Sequence, residues 1–179
     1  MRGSVVIMGV AGCGKSSVGA ALARAEAMPL VEGDEFHPQA NRDKMRAGTA
    51  LTDEDRAGWL AALGAELRNL PEGAVLTCSA LKRSYRERLR EASPGLRFVF
   101  LEIDRETART RVSARAHFFS PALVDSQFAT LESPVGEEGV LRVDGAAFPA
   151  TIHARILAWL HGAGLDKPPP EGGNRDDPG

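Results

Sequence analysis

Only two cysteines occur in the 179 residues, Cys13 and Cys78, and they share neither a C-x-x-C nor a metal-type spacing. Their scarcity excludes a disulfide framework and a zinc site and fits a reducing compartment. No apolar run approaches the roughly 18 residues that a membrane span requires. The first apolar run, Ser4 to Met8, leaves no room before it for a signal peptide, so the expectation is a cytoplasmic protein without a membrane partner. There is also no basic run. With 22 Lys and Arg against 24 Asp and Glu, the formal net charge is -2, and nucleic acid is not an expected partner.

What is present is ordinary for a folded enzyme or binding module, with 43% apolar and 26% charged residues. Short apolar runs alternate with longer segments of helical period, the pattern of an α/β fold with a parallel sheet covered on both faces. The runs predict five strands: Ser4 to Met8, Leu30 to Gly33, Ala74 to Cys78, Arg97 to Ile103 and Val140 to Asp144. Helices are predicted over 15–26, 53–70, 82–91, 106–114, 121–131 and 149–161, with Thr52 as the cap of the second and Pro71 and Pro94 as stops. One domain over 1–162 is expected. Residues 163–179, rich in Pro, Gly, Asn and Asp, read as a disordered tail.

The strongest signal is Gly9-Val10-Ala11-Gly12-Cys13-Gly14-Lys15-Ser16, a G-x-x-x-x-G-K-S between a predicted strand and a predicted helix, with Ser17 following. Glycines there let backbone N–H groups close around phosphate oxygens, and the helix start adds its positive end. In such a loop the lysine reaches the β- and γ-phosphates of ATP, and the serine hydroxyl ligates Mg²⁺. Cys13 reads as a small filler, with oxidation sensing as the alternative. The sequence has neither the N-K-x-D nor the D-x-x-G of GTP switches. Its third apolar run ends in Cys78-Ser79-Ala80-Leu81-Lys82 without an acidic residue, which leaves Glu32 and Asp34, after the second strand, to support Mg²⁺.

Further residues carry a resemblance. The run Gly33-Asp34-Glu-Phe-His37-Pro38-Gln-Ala-Asn41-Arg-Asp-Lys44-Met45-Arg-Ala-Gly48 is followed by Leu51-Thr-Asp53-Glu-Asp55-Arg56-Ala-Gly58-Trp59-Leu60. Later come Cys78-Ser79-Ala80-Leu81-Lys82-Arg83-Ser-Tyr85-Arg86, Arg115-Ala116-His117-Phe118-Phe119, Ser126-Gln127-Phe128 and Leu131-Glu132-Ser-Pro134. In order and spacing, over roughly residues 4 to 161, these blocks resemble the gluconate kinases, small P-loop kinases grouped with shikimate and adenylate kinases. Two positions depart from the family pattern: Gly58 stands where proline is common, and Ala116 where glycine is usual.

The resemblance implies a three-layer P-loop kinase fold with a small lid, ATP and Mg²⁺ as cofactors, D-gluconate as substrate, and homodimers by analogy. The implied reaction turns ATP and D-gluconate into ADP and 6-phospho-D-gluconate. Competing readings are a kinase of another small hydroxy acid or nucleotide and a non-catalytic nucleotide-binding module. Lys15, Asp34, Arg111 and Arg115 are the catalytic candidates, the last two as lid arginines, with Arg109 left as a solvated residue. Gly9 through Ser17 would hold the nucleotide, and Ser16 with Glu32 the metal. Asp34 is a candidate to hold the attacking hydroxyl and take its proton, with Mg²⁺ support as the alternative. His37, Arg56, Ser79, Lys82, Arg86, His117 and Gln127 are the acceptor candidates. Arg56 could instead be an exposed partner of Asp53, and Lys82 with Arg86 a solvated helical face. The aromatic residues Trp59 and Trp159 are expected in the core.

Overall fold

The computed structural model describes residues 3–115 and 120–162. The predicted tail and the block Ala116 to Phe119, with the acceptor candidate His117, lie outside the described residues. Five strands form a parallel sheet in the order β2-β3-β1-β4-β5: β1 (Val5–Met8), β2 (Leu30–Glu32), β3 (Val75–Thr77), β4 (Arg97–Glu102) and β5 (Val140–Asp144). Register is set along β1, where Val6 faces Leu76 of β3 on one side and Phe98 of β4 on the other.

Alternate β1 residues feed two separate cores, as the two-residue period of a strand requires. Val5 and Ile7 pack with Leu22, Val99, Leu101, Ile152 and Ile156, under α1 (Lys15–Glu26) and α7 (Pro149–Leu160). Val6 and Met8 pack on the other face with Trp59, Leu63, Leu76, Leu89 and Phe98. That face is covered by α3 (Asp53–Asn69) and α4 (Arg83–Ala92). Strands β1, β3 and β4 are therefore buried on both sides, as the sequence predicts, whereas the edge strands β2 and β5 are not, with Leu30, Arg142 and Asp144 exposed.

The predicted helices appear with shifts of a residue or two, including α5 (Arg105–Ala114) and α6 (Ala122–Thr130). Thr52 caps α3 as predicted. Its hydroxyl accepts from the Asp55 amide while the Asp55 carboxylate accepts from the Thr52 amide, a complete capping box. Two corrections apply to the stretch after β2. The strand ends at Glu32, because Gly33 opens a 3₁₀ turn over Gly33–Phe36. A further helix, α2 (Gln39–Arg46), follows where none is predicted, because only Asn41 and Met45 of its eight residues are buried. Gly33 also tolerates no side chain, since a Cβ there would sit 2.1 Å from the Thr77 carbonyl oxygen.

Candidate active site

The order β2-β3-β1-β4-β5 makes β1 the central strand, with chain crossing to either side of it, and ligand crevices in open α/β sheets form beyond the carboxyl ends of strands at such a point. Beyond β1 lies the glycine loop. Gly9 has φ 148°, and a Cβ there would meet the Cys13 Sγ and the Leu101 carbonyl at 2.7 Å; Gly14 caps α1 with φ 96°. Both conformations suit glycine alone. The Lys15 ammonium donates to the Gly9 and Val10 carbonyls at 3.0 and 3.2 Å, lying back along the loop it serves. Val10 and Cys13 are buried filler, and Ser17 is exposed on α1.

A cavity of about 410 Å³ opens beside this loop. It is lined by Ala11, Gly12, Gly14, Lys15 and Ser16 of the loop and the start of α1 and by Asp34, His37, Arg56, Trp59 and Ser79, with Arg115 and Gln127 also on the lining. Six predicted residues from five separate segments thus line one space with the phosphate loop: Asp34, His37, Arg56, Ser79, Arg115 and Gln127. Gln127 has a second attachment, its Oε1 accepting from the Ala11 amide at 2.7 Å.

The part of the lining formed by His37, Arg56 and Trp59 is stiffened by long-range contacts. The His37 ring stacks on Trp59 with centroids 4.2 Å apart and planes 16° apart, and Trp59 Nε1 donates to the Gly33 carbonyl at 2.7 Å. Burial, assisted by the Arg56 and Arg42 charges and opposed by Asp34, lowers the His37 pKa to about 4, so the ring is neutral near pH 7. Arg56 is buried and donates from Nη1 to the Tyr85 hydroxyl at 3.2 Å. The alternative of an exposed Asp53 partner is thereby removed. Tyr85 donates instead to Asp53, whose carboxylate pKa is lowered by that bond and by Lys82.

Three predicted residues stand off the cavity wall. Lys82 pairs with Asp53 at 2.9 Å on the protein's surface, because it precedes α4 and points to the start of α3. Arg86 is fully buried: it pairs with Glu137 at 2.6 Å and donates to the carbonyls of Ala80 and Glu132 at 2.8 and 3.0 Å. It holds the turn at Ala80, whose φ of 46° is costly for a residue with a Cβ, and so presents Ser79. Arg111 donates to the carbonyls of Gly12 and Gly145, each at 3.1 Å, bracing the phosphate loop against the turn after β5. Arg109, read as solvated, is exposed and pairs with Asp125 at 2.6 Å.

Ser16 and Glu32 meet as expected. Ser16 Oγ donates to Glu32 Oε2 at 3.2 Å, and the same oxygen accepts from Thr77 Oγ1 at 2.5 Å. Among the described residues no group of three or more His, Cys, Asp or Glu is arranged around a metal. A hydroxyl beside one carboxylate fits Mg²⁺, which keeps most of its waters and shares phosphate oxygens. Burial pushes the Cys78 thiol up to about 12, an inert filler at the end of β3.

Sequence reasoning missed Asn41, Thr77, Tyr85 and the wall role of Trp59. Two signals were present: Trp59 shares a helical face with Arg56 three residues earlier, and Thr77 is the polar end of an otherwise apolar strand.

Comparison with known proteins agrees with this geometry. A family model described as an AAA domain matches residues 5–134. The chain is 45% identical over 157 residues to a gluconokinase of Gluconobacter oxydans, covering 86% of this chain and 88% of that one. A crystal structure of a gluconokinase from Sinorhizobium meliloti superposes with a TM-score of 0.83 at 48% identity, covering 90% of this chain and 93% of that one. Shikimate kinase from Aquifex aeolicus, at 17% identity and a TM-score of 0.55, shares the fold. With its glycine loop, its parallel sheet and relatives of this identity and coverage, the chain belongs to the gluconokinase family of P-loop kinases.

Proposed function

We propose that the protein is a cytoplasmic gluconokinase, which transfers the γ-phosphoryl group of ATP to the 6-hydroxyl of D-gluconate. The observation that carries this reading is that one cavity is lined both by the phosphate loop and by Asp34, His37, Arg56 and Ser79. A polyol acid needs one cation for its carboxylate and several polar partners for its hydroxyls, and this wall supplies both. The unpaired thiols of Cys13 and Cys78 support the reducing compartment.

In the reaction the acceptor oxygen attacks the γ-phosphorus, the bond from that phosphorus to the β,γ-bridging oxygen breaks, and ADP leaves. Asp34, on the turn at the carboxyl end of β2, holds the attacking hydroxyl and takes its proton. Lys15 and the loop amides bear the charge on the phosphate oxygens, and Arg115 reaches the same space from the end of α5. Arg56, steadied by Tyr85, receives the carboxylate. Ser16 and Glu32 would hold Mg²⁺, which when bound neutralises phosphate charge. Positioning supplies much of the rate, because there is little covalent work for the protein to do.

The test is a coupled ADP-release assay over gluconate, other aldonic acids, shikimate and nucleoside monophosphates. Turnover with gluconate is expected. Turnover with shikimate or AMP and none with gluconate would overturn the acceptor while leaving the kinase fold in place.

A further inference from the structure

Asn41, on α2, is 3% exposed and stands behind the cavity wall. Its Nδ2 lies 2.8 Å from the Asp55 carbonyl oxygen and 3.2 Å from Nδ1 of His37. The Asp55 carbonyl only accepts, so the amide end that meets it must be the NH₂, and the orientation of Asn41 is fixed by chemistry. The second hydrogen of that NH₂ is then directed at His37. An amide nitrogen offers no lone pair, so His37 Nδ1 has to be the acceptor, and the proton of the neutral ring sits on Nε2.

Stacking on Trp59, itself tied to the Gly33 carbonyl, fixes the plane of the ring. A half-turn within that plane would put a carbon, Cδ2, before the Asn41 amide and forfeit the bond. Asp55 is anchored in turn by Lys44 at 2.8 Å and by the capping box with Thr52. His37 lines the cavity, and its Nε2 makes no hydrogen bond to the protein among the described residues, so that N–H is free for a ligand.

We infer that Asn41 is a positioning residue that fixes His37 in the Nε2–H tautomer, making His37 a hydrogen-bond donor to an acceptor oxygen of the polyol-acid substrate. The identity of that substrate rests on the gluconokinase reading; the tautomer does not. A hydroxyl or carboxylate oxygen satisfies the donor, whereas an ammonium group placed there has no lone pair to offer. His37 therefore selects for oxygen at one substrate position without carrying charge.

Two measurements decide this. Long-range proton–nitrogen correlation spectra of the full ¹⁵N-labelled chain at pH 7 should show His37 protonated on Nε2 and bare on Nδ1. A proton on Nδ1, or on both nitrogens, overturns the inference and needs no variant. Asn41→Asp offers a carboxylate, an acceptor, to Nδ1, so the ring should carry a proton there instead. The KM for gluconate should then rise about five- to tenfold, the loss of roughly one neutral hydrogen bond, with the KM for ATP changing less. An Asn41→Asp enzyme with an unshifted tautomer, or with an unchanged gluconate KM, also overturns it. Should the wild-type chain not phosphorylate gluconate, the gluconokinase reading fails and the spectra alone judge the tautomer.

Discussion

Gln127 Oε1 accepts the Ala11 amide at 2.7 Å, which fastens α6 to the backbone of the phosphate loop. The resemblance places Gln127 with the acceptor, yet among the described residues its side chain bonds to the glycine loop. Gln127→Leu is expected to loosen the loop and raise the KM for ATP about two- to tenfold, the range of one net hydrogen bond. Steady-state kinetics with each substrate varied in turn measure this. A change confined to the gluconate KM would return Gln127 to the acceptor.

Among the described residues the Lys15 ammonium hydrogen-bonds only within its own loop, to the carbonyls of Gly9 at 3.0 Å and Val10 at 3.2 Å and to the Cys13 thiol. Its removal costs the fold little and the transition state a positive charge. Lys15→Ala should lower kcat by about 10²- to 10³-fold, the scale of losing one preorganised electrostatic contact. The melting temperature should stay within a few degrees, and unchanged turnover would show that the loop is not catalytic.

Arg86 has its guanidinium fully buried against Glu137 and two carbonyls. Arg86→Met leaves Glu137 to Arg90 and strands the carbonyls of Ala80 and Glu132. With Glu137 still paired to Arg90, the loss is that of the stranded carbonyls, about 1–3 kcal/mol for each, and urea denaturation should show it. Unaltered stability with a raised gluconate KM would instead restore Arg86 to the acceptor pocket.

These residues mark where the sequence was readable. Strands β1, β3 and β4 were legible because strands buried on both faces are apolar without interruption, and the loop because its glycines, Lys15 and Ser16 are local in sequence. Helix α2 was not legible, since a polar segment with two buried side chains has no apolar period. Arg86 and Arg83 could not be told apart by spacing: one is fully buried, and the other pairs with Glu87 on the surface, a difference created by Glu137 fifty-one residues after Arg86. Likewise Lys82 sits beside Ser79 in sequence, but only Ser79 reaches the cavity.

Acid should destabilise the fold through His37. Its folded pKa of about 4 lies below the ordinary value of 6.5, so the unfolded chain binds the extra proton first as pH falls. The contribution of this ring is complete above pH 6.5 and is lost progressively down to about pH 4. Comparing the pH dependence of the unfolding free energy for wild type and His37→Phe checks the sign: the wild type should show the steeper fall across that window.

The stretch from Gly33 to Trp59 is stapled to itself, by Trp59 to the Gly33 carbonyl, Asn41 to the Asp55 carbonyl, and Lys44 to the Asp55 carboxylate. It therefore behaves as a cassette clipped onto the end of β2. Three of the polar groups on the cavity lining, Asp34, His37 and Arg56, thus move as one unit, separate in sequence from the glycine loop between β1 and α1.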